Sequence, residues 1–271
     1  MNYSKLLKIG FQIIELPSRK VRYFINKQIQ GKTIEGDPSF IVGCGHSGTS
    51  LLLAILGAHS RIYAIPYESR LAMKSNDEAQ LLLDEFEQRT VAEGKIRWIE
   101  KTPGHILYID KLFQLKPNAK VIIIIRDGRD VACSIKERSN FERGVESWIQ
   151  ANKSANRYQG HSQCLFVKYE DIIVDFKKTI SSILDFMGES YENAMEQYNK
   201  KHIRFYHYKT SKPNKYDQST HAQYRNWQIN QNIFDGRGKW KVKMNDYEKA
   251  LFKRLAGNML IEYGYAENND W

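Results

Sequence analysis

The chain has 271 residues, 42% hydrophobic and 27% charged, with a formal net charge of +10 at pH 7. That length suits one large α/β domain or two small ones, and the composition excludes fibrous and disordered classes. The positive balance points to an anionic ligand or surface, surplus solubility being its other use, while three cysteines without C-x-x-C spacing argue against a disulfide framework or a zinc site.

The N-terminal stretch is basic and amphipathic, with Leu6, Leu7, Phe11, Ile14 and Leu16 set among Lys5, Lys8, Arg19 and Arg22. It predicts a helical arm over residues 1–36, packed on the domain or in weak contact with an anionic membrane surface. It has neither the apolar core nor the small-residue cleavage site of a signal peptide. No segment reaches the roughly 18 apolar residues of a membrane span, so the chain is expected in the cytoplasm. The turn-rich "QGKTIEGDPS" leads into one main domain, 37–271.

In that domain "FIVGC" (40–44) predicts a buried strand and "GTSLLLAILGAH" a helix ending near Gly57. "RIYAI" reads as a short strand, residues 79–92 as a helix and "RWIEK" (97–101) as another strand. "GHILYIDKLFQLK" is expected as one helix behind Pro103, and "VIIIIRD" (121–127) as the most buried strand. Two helices follow, then a strand "CLFVKYED" (164–171), and a helix stopped by Gly188. Residues 200–240 carry no sustained period, and a capped helix starts near Asn245. Cys44 and Cys133 lie beside apolar runs and read as small core residues.

Strands alternating with helices predict a mainly parallel sheet covered on both faces, with ligands at the carboxyl ends of the strands. Polar residues that directly follow strands are therefore the candidates. Gly45, His46, Ser47, Gly48, Thr49 and Ser50 form a glycine-rich turn into a helix, a setting for a phosphate or sulfate. The lysine of the nucleotide-triphosphatase pattern G-x-x-x-x-G-K-[ST] is absent. Lys101 ends the next long strand and could supply the missing cation from elsewhere in the chain. Arg126 follows the most buried strand and could hold a phosphate bidentately, with the Ser134 hydroxyl as a second donor. Arg129 and Asp130 read as ordinary helix-start charges.

This order of motifs resembles the sulfotransferases that use 3′-phosphoadenosine 5′-phosphosulfate (PAPS): S-G-T-[ST] after the first strand, E-K-T-P, and R-x-x-x-x-x-x-x-S after an apolar strand. The resemblance runs from about Phe40 to Tyr265. It implies a P-loop, nucleotide-kinase-like α/β fold with a central, mainly parallel sheet flanked by helices. It also implies that the first loop holds the 5′-phosphosulfate and that Arg126 and Ser134 hold the 3′-phosphate. Tyr169 in "VKYEDI" is similar to the family's Tyr-Glu-Asp strand end. Arg237, Gly238, Lys239 and Trp240 in "DGRGKWK" are similar to its late loop over the 3′-phosphate. The family usually has Arg or Lys where His46 stands. No metal is implied.

The acceptor hydroxyl needs a base. "YESR" is similar to the Glu-Thr-Arg segment of the tyrosylprotein branch, which makes Glu68 the base and places Arg70 at the acceptor. His105 is the rival, because the small-molecule branch uses a histidine shortly after its lysine. The implied partners are PAPS, its product 3′,5′-diphosphoadenosine (PAP) and a hydroxyl-bearing acceptor, not a nucleic acid. The aromatic segment 204–218 is a candidate lining or lid for the acceptor. The other readings are a P-loop kinase, which would need the missing lysine and a magnesium carboxylate, and a non-enzymatic polyanion-binding module.

Overall fold

A computed structural model describes residues 34–201 and 221–271, together with two short strands in the N-terminal arm. Those strands, β1 (Leu7–Ile9) and β2 (Gln12–Ile14), pair antiparallel, so at these six residues the backbone is extended where the amphipathic pattern predicts helix. The candidate acceptor segment 204–218 lies outside the described residues.

The main domain begins with β3 (Ser39–Gly43), buried along its whole length, followed by helix α1 (Thr49–Gly57). Then come β4 (Ile62–Ala64), α2 (Asn76–Ala92) and β5 (Arg97–Lys101). The helix expected behind Pro103 is split into a 3-10 turn, Pro103–Leu107, and α3 (Ile109–Leu115). Tyr108 interrupts it with a non-helical φ of −134°. Next are β6 (Lys120–Ile125), α4 (Gly128–Lys136), α5 (Phe141–Asn156) and β7 (Cys164–Lys168). β7 is shorter than the sequence predicts, because Tyr169 opens α6 (Tyr169–Val174). Helix α7 (Phe176–Met187) ends at Gly188, whose φ of 75° suits a residue without a side chain. The aperiodic stretch contains an unforeseen helix, α8 (His221–Ile229). A short α9 (Trp240–Lys243) precedes α10 (Asp246–Glu262), which starts on the expected cap, Asn245, with a capping box to Glu248.

Five strands form one parallel sheet in the order β4-β5-β3-β6-β7. Side chains alternate across it, so the two faces feed separate cores. Phe40, Val42, Val121, Ile123 and Ile125 point to one, with Trp98, Trp148 and Phe252. Ile41, Ile122, Ile124 and Ile99 point to the other, under α1 and α7. The register aligns the carboxyl ends: Ile41 pairs with Lys101, Gly43 with Ile124, and Ile125 with Lys168. Lys101, the turn after Gly43, Arg126 and Tyr169 therefore meet at one edge, where parallel sheets carry their ligands.

Candidate active site

The turn after β3 is shaped by its backbone. Gly43, Gly48 and also His46 have positive φ, 152°, 97° and 69°. A side chain on Gly48 would strike the Tyr169 ring, its Cβ falling 2.6 Å from Cδ2, so this position needs glycine on two counts. Gly45 instead faces open space, with nothing within 4 Å of a Cβ built there. The side chains of Ser47 and Thr49 are fully buried, and neither hydroxyl oxygen has a hydrogen-bond partner within the protein. Buried hydroxyls without partners at the start of a helix are a setting for an anion that supplies the missing acceptors.

Arg126 ties the neighbouring elements together. Its Nη1 donates to the His46 carbonyl at 3.0 Å and its Nη2 to the Gly236 carbonyl at 2.6 Å. The guanidinium stacks on Tyr169 with 4.3 Å to the ring centroid. Ser134 Oγ lies 2.9 Å from His46 Nδ1, so the two groups that sequence assigns to opposite ends of a nucleotide are in direct contact. His46, Gly48, Arg126, Ser134, Tyr169 and Lys239 line part of one cavity of about 690 Å³, large enough for a nucleotide. Trp227, on the unforeseen helix α8, also lines it and supplies an aromatic wall that sequence periodicity missed.

The late loop is held by a residue that sequence reading passed over. Asp130 accepts from the Gly238 N–H at 2.7 Å and from the Trp240 N–H at 2.9 Å. Burial raises the Asp130 pKa, against the two N–H groups and Arg126, which favour its charged form. Arg129, also read as an ordinary helix-start charge, lies at the start of α4 but is buried; it donates to the Tyr265 carbonyl at 2.7 Å and lies 3.9 Å over Trp240. Glu170, beside Tyr169, accepts from the Tyr265 hydroxyl at 2.9 Å, linking the start of α6 to the end of α10. Arg237 does not reach the cavity wall in this state; it pairs with Asp235 at 2.8 Å and pulls that carboxyl down to about 2, hydrogen bonds being the largest cause. Asp130→Ala should free the loop. Trypsin should then cleave at Arg237 and Lys239 several times faster than in the unaltered protein, the excess cleavage tracking local opening. Equal rates would show that Asp130 is not the tether.

Beyond the cavity, Lys101 is fully buried and its Nζ lies 2.5 Å from Glu68 Oε1. Glu68 keeps 23% side-chain exposure, so this pair opens to solvent on the Glu68 side. Arg70 is exposed and holds a left-handed φ of 52°, an uncommon state for a residue with a side chain. His105 sits elsewhere. Alternation along β5 sends Lys101 to one face and Glu100 to the other, and His105 lies with Glu100, fully buried, Nδ1 at 3.3 Å from Oε2. The 3-10 turn that opens at Pro103 carries His105 away from Lys101, to the face of the sheet where its ring packs edge-on against Phe40. Glu100 itself was legible as a charged residue in a wholly buried strand, a signal the sequence reading left unused.

Cys44 and Cys133 are free and buried, with thiols pushed up by burial to about 12 and about 11, which leaves them as packing residues. Among the described residues no helix is long and apolar enough to cross a membrane, and no group of three or more His, Cys, Asp and Glu could hold a metal ion.

Residues 68–193 match the model of the sulfotransferase family. The chain is 24% identical over 207 residues to a protein-tyrosine sulfotransferase of Drosophila melanogaster, covering 63% of this chain and 42% of that protein. It is 26% identical over 196 residues to protein-tyrosine sulfotransferase 2 of Gallus gallus, covering 58% and 52%. The chain thus spans about half or less of the length of these curated relatives. Among solved structures, the sulfotransferase domain from the curacin biosynthetic pathway is similar with TM-score 0.57 at 15% identity, over 84% of this chain and 98% of that one. A mouse sulfotransferase complexed with PAP gives 0.52 at 17% identity, over 86% and 88%. At such identities the structural likeness is one of fold.

Proposed function

We propose that this chain, which matches the sulfotransferase family model over residues 68–193 and is similar to protein-tyrosine sulfotransferases, moves a sulfuryl group from PAPS to an acceptor hydroxyl by in-line displacement. The observation that carries this reading is the juxtaposition at one sheet edge of a buried Lys101 paired to Glu68, a glycine-rich turn, and Arg126 and Ser134, which both contact His46 of that turn. The turn, with Ser47, Thr49 and Ser50, takes the 5′-phosphosulfate. Arg126, Ser134 and Lys239 take the 3′-phosphate, and Trp227 offers its ring to the base. His46 brings a hydrogen bond but no fixed charge, so Lys101 carries more of the cationic burden than in relatives with Arg or Lys in the loop.

In the transfer, the acceptor oxygen forms a bond to sulfur as the bond from sulfur to the bridging phosphate oxygen breaks, and PAP leaves. Lys101 and the loop N–H groups stabilise charge on the sulfuryl and leaving oxygens. Glu68 takes the acceptor proton. Its present pairing with Lys101 means that Lys101 must turn toward the donor for Glu68 to work as a base. Arg70, exposed two residues after Glu68, is the group assigned to the acceptor. The curated relatives are named for protein tyrosine, so a phenolic hydroxyl is the first acceptor class to test, ahead of carbohydrate and small alcohols.

A ligand panel read by thermal shift tests the reading. PAP at a hundred times its Kd, without magnesium, should stabilise the protein by about 2.7 kcal/mol. Stabilisation by ATP with magnesium and none by PAP would mark a kinase instead. Equal stabilisation by any polyanion would mark a charge-driven binder.

A further inference from the structure

The segment that carries Glu68 and Arg70 is fastened to the far side of the sheet. Immediately after Glu68, the Ser69 N–H donates to Glu100 Oε1 at 3.0 Å and the Ser69 hydroxyl to the same oxygen at 2.9 Å. The Arg70 N–H donates to Thr102 Oγ1 at 3.2 Å, and that hydroxyl donates to Glu100 Oε1 at 2.6 Å. The Ala72 N–H donates to His105 Nε2 at 3.4 Å. An imidazole nitrogen that accepts here leaves the proton on Nδ1, the nitrogen that faces Glu100. Three backbone N–H groups in four residues are thus satisfied by Glu100, Thr102 and His105. Ser69, Glu100 and His105 have no exposure, and Thr102 has 3%.

The arrangement has a consequence for the reacting groups. Lys101 lies between Glu100 and Thr102 in sequence. The residues flanking Lys101 hold the turn, while Lys101 meets the carboxylate of that same turn on the other face. A left-handed Arg70 backbone, unfavourable by itself, is retained because the N–H groups on both sides of it have fixed partners. We infer that Glu100 and His105, with Thr102, are positioning residues that set Glu68 against Lys101, His105 acting as a buried hydrogen-bond acceptor and not as the base. This rests on the assignment of Glu68 and Lys101 to sulfuryl transfer.

Two substitutions at one site separate the roles. His105→Gln keeps an acceptor for the Ala72 N–H but cannot take a proton from a hydroxyl. His105→Leu removes the acceptor. The leucine variant should lose at least about tenfold in kcat, with the KM for PAPS and the Kd for PAP within about twofold, since misplacing a reacting group by about 1 Å can cost about a hundredfold. The glutamine variant should recover most of that loss. Equal loss in both would make His105 the proton acceptor, and full kcat in the leucine variant would remove any role; either result overturns the inference. Should the leucine variant not fold, Thr102→Val, close in shape, carries the test. The Arg70 amide should then exchange with deuterium at least about tenfold faster in the native protein, with kcat reduced, while an unchanged amide would overturn the anchor. Amide exchange needs no turnover, so a protein that neither binds PAP nor transfers sulfate would refute the sulfotransferase reading while leaving the anchor testable.

Discussion

Lys101→Ala should lower turnover by about a hundredfold or more, and no choice of acceptor should restore it, because the charge it removes sits on the donor side of sulfur. Glu68→Gln should cost a similar factor for a weakly acidic hydroxyl and then regain rate as the acceptor becomes more acidic. A more acidic phenol needs less help in losing its proton. The measurement is kcat/KM for each variant over a series of substituted phenols, plotted against acceptor pKa. Parallel plots for Glu68→Gln and the unaltered protein would remove Glu68 as the base. The geometry adds a second expectation. Lys101 is buried against Glu68, so Glu68→Gln leaves a buried ammonium without its carboxylate partner. Removing one partner of a buried pair costs about 3–5 kcal/mol at full burial. The 23% exposure of the Glu68 side chain places the loss below that range, and bound PAPS should restore part of it. A variant as stable as the unaltered protein without ligand would mean that solvent already screens the pair.

Arg126→Ala should weaken PAP on the order of a hundredfold or more, as expected for truncating one side of a desolvated charge pair. Adenosine 5′-phosphate, which lacks the 3′-phosphate, should bind nearly as before. Ser134→Ala should show the same preference more mildly. Titration calorimetry with both nucleotides decides the point, and an equal loss for the two would place Arg126 at the wrong phosphate. The contacts of Arg126 sharpen this. Its guanidinium holds the His46 and Gly236 carbonyls, so the loop carrying Gly236 should also loosen in the alanine variant. A faster tryptic cut near Arg237, without a selective loss of PAP, would assign Arg126 to loop support alone.

Much of this molecule can be read from its residues in order. The run Val121–Ile125 is apolar and β-branched, too short and stiff for a helix, and β6 covers all of it, beginning one residue before the predicted start and ending two before the predicted end. Alternation of short apolar runs with longer amphipathic ones determined a parallel sheet with two covered faces. That in turn selected the residues at strand ends, and Lys101, Arg126 and the 45–50 turn do meet at one sheet edge. Side chains determine these features through local sterics and through a two-residue period that the chain carries along its own length.

What only the tertiary structure decided involves partners far apart in sequence. Asp130 and Trp240 are 110 residues apart, and nothing near Asp130 marks it as the acceptor for a loop near the other end of the chain. His105 stands four residues after Lys101, yet a proline turn carries it to the other face of the sheet, where the Ala72 N–H meets Nε2 and Glu100 Oε2 lies 3.3 Å from Nδ1. Helix α8, in a stretch without a sustained period, brings Trp227, Gln228 and Ile229 to a cavity that is also lined by residues following three strands, β3, β6 and β7. A hydrogen bond or an ion pair depends on distances of about 3 Å, and only packing brings such groups together. The sequence determined which groups could do chemistry at the strand ends, and the packing of the turn after β4 against β5 decided which carboxylate faces the lysine.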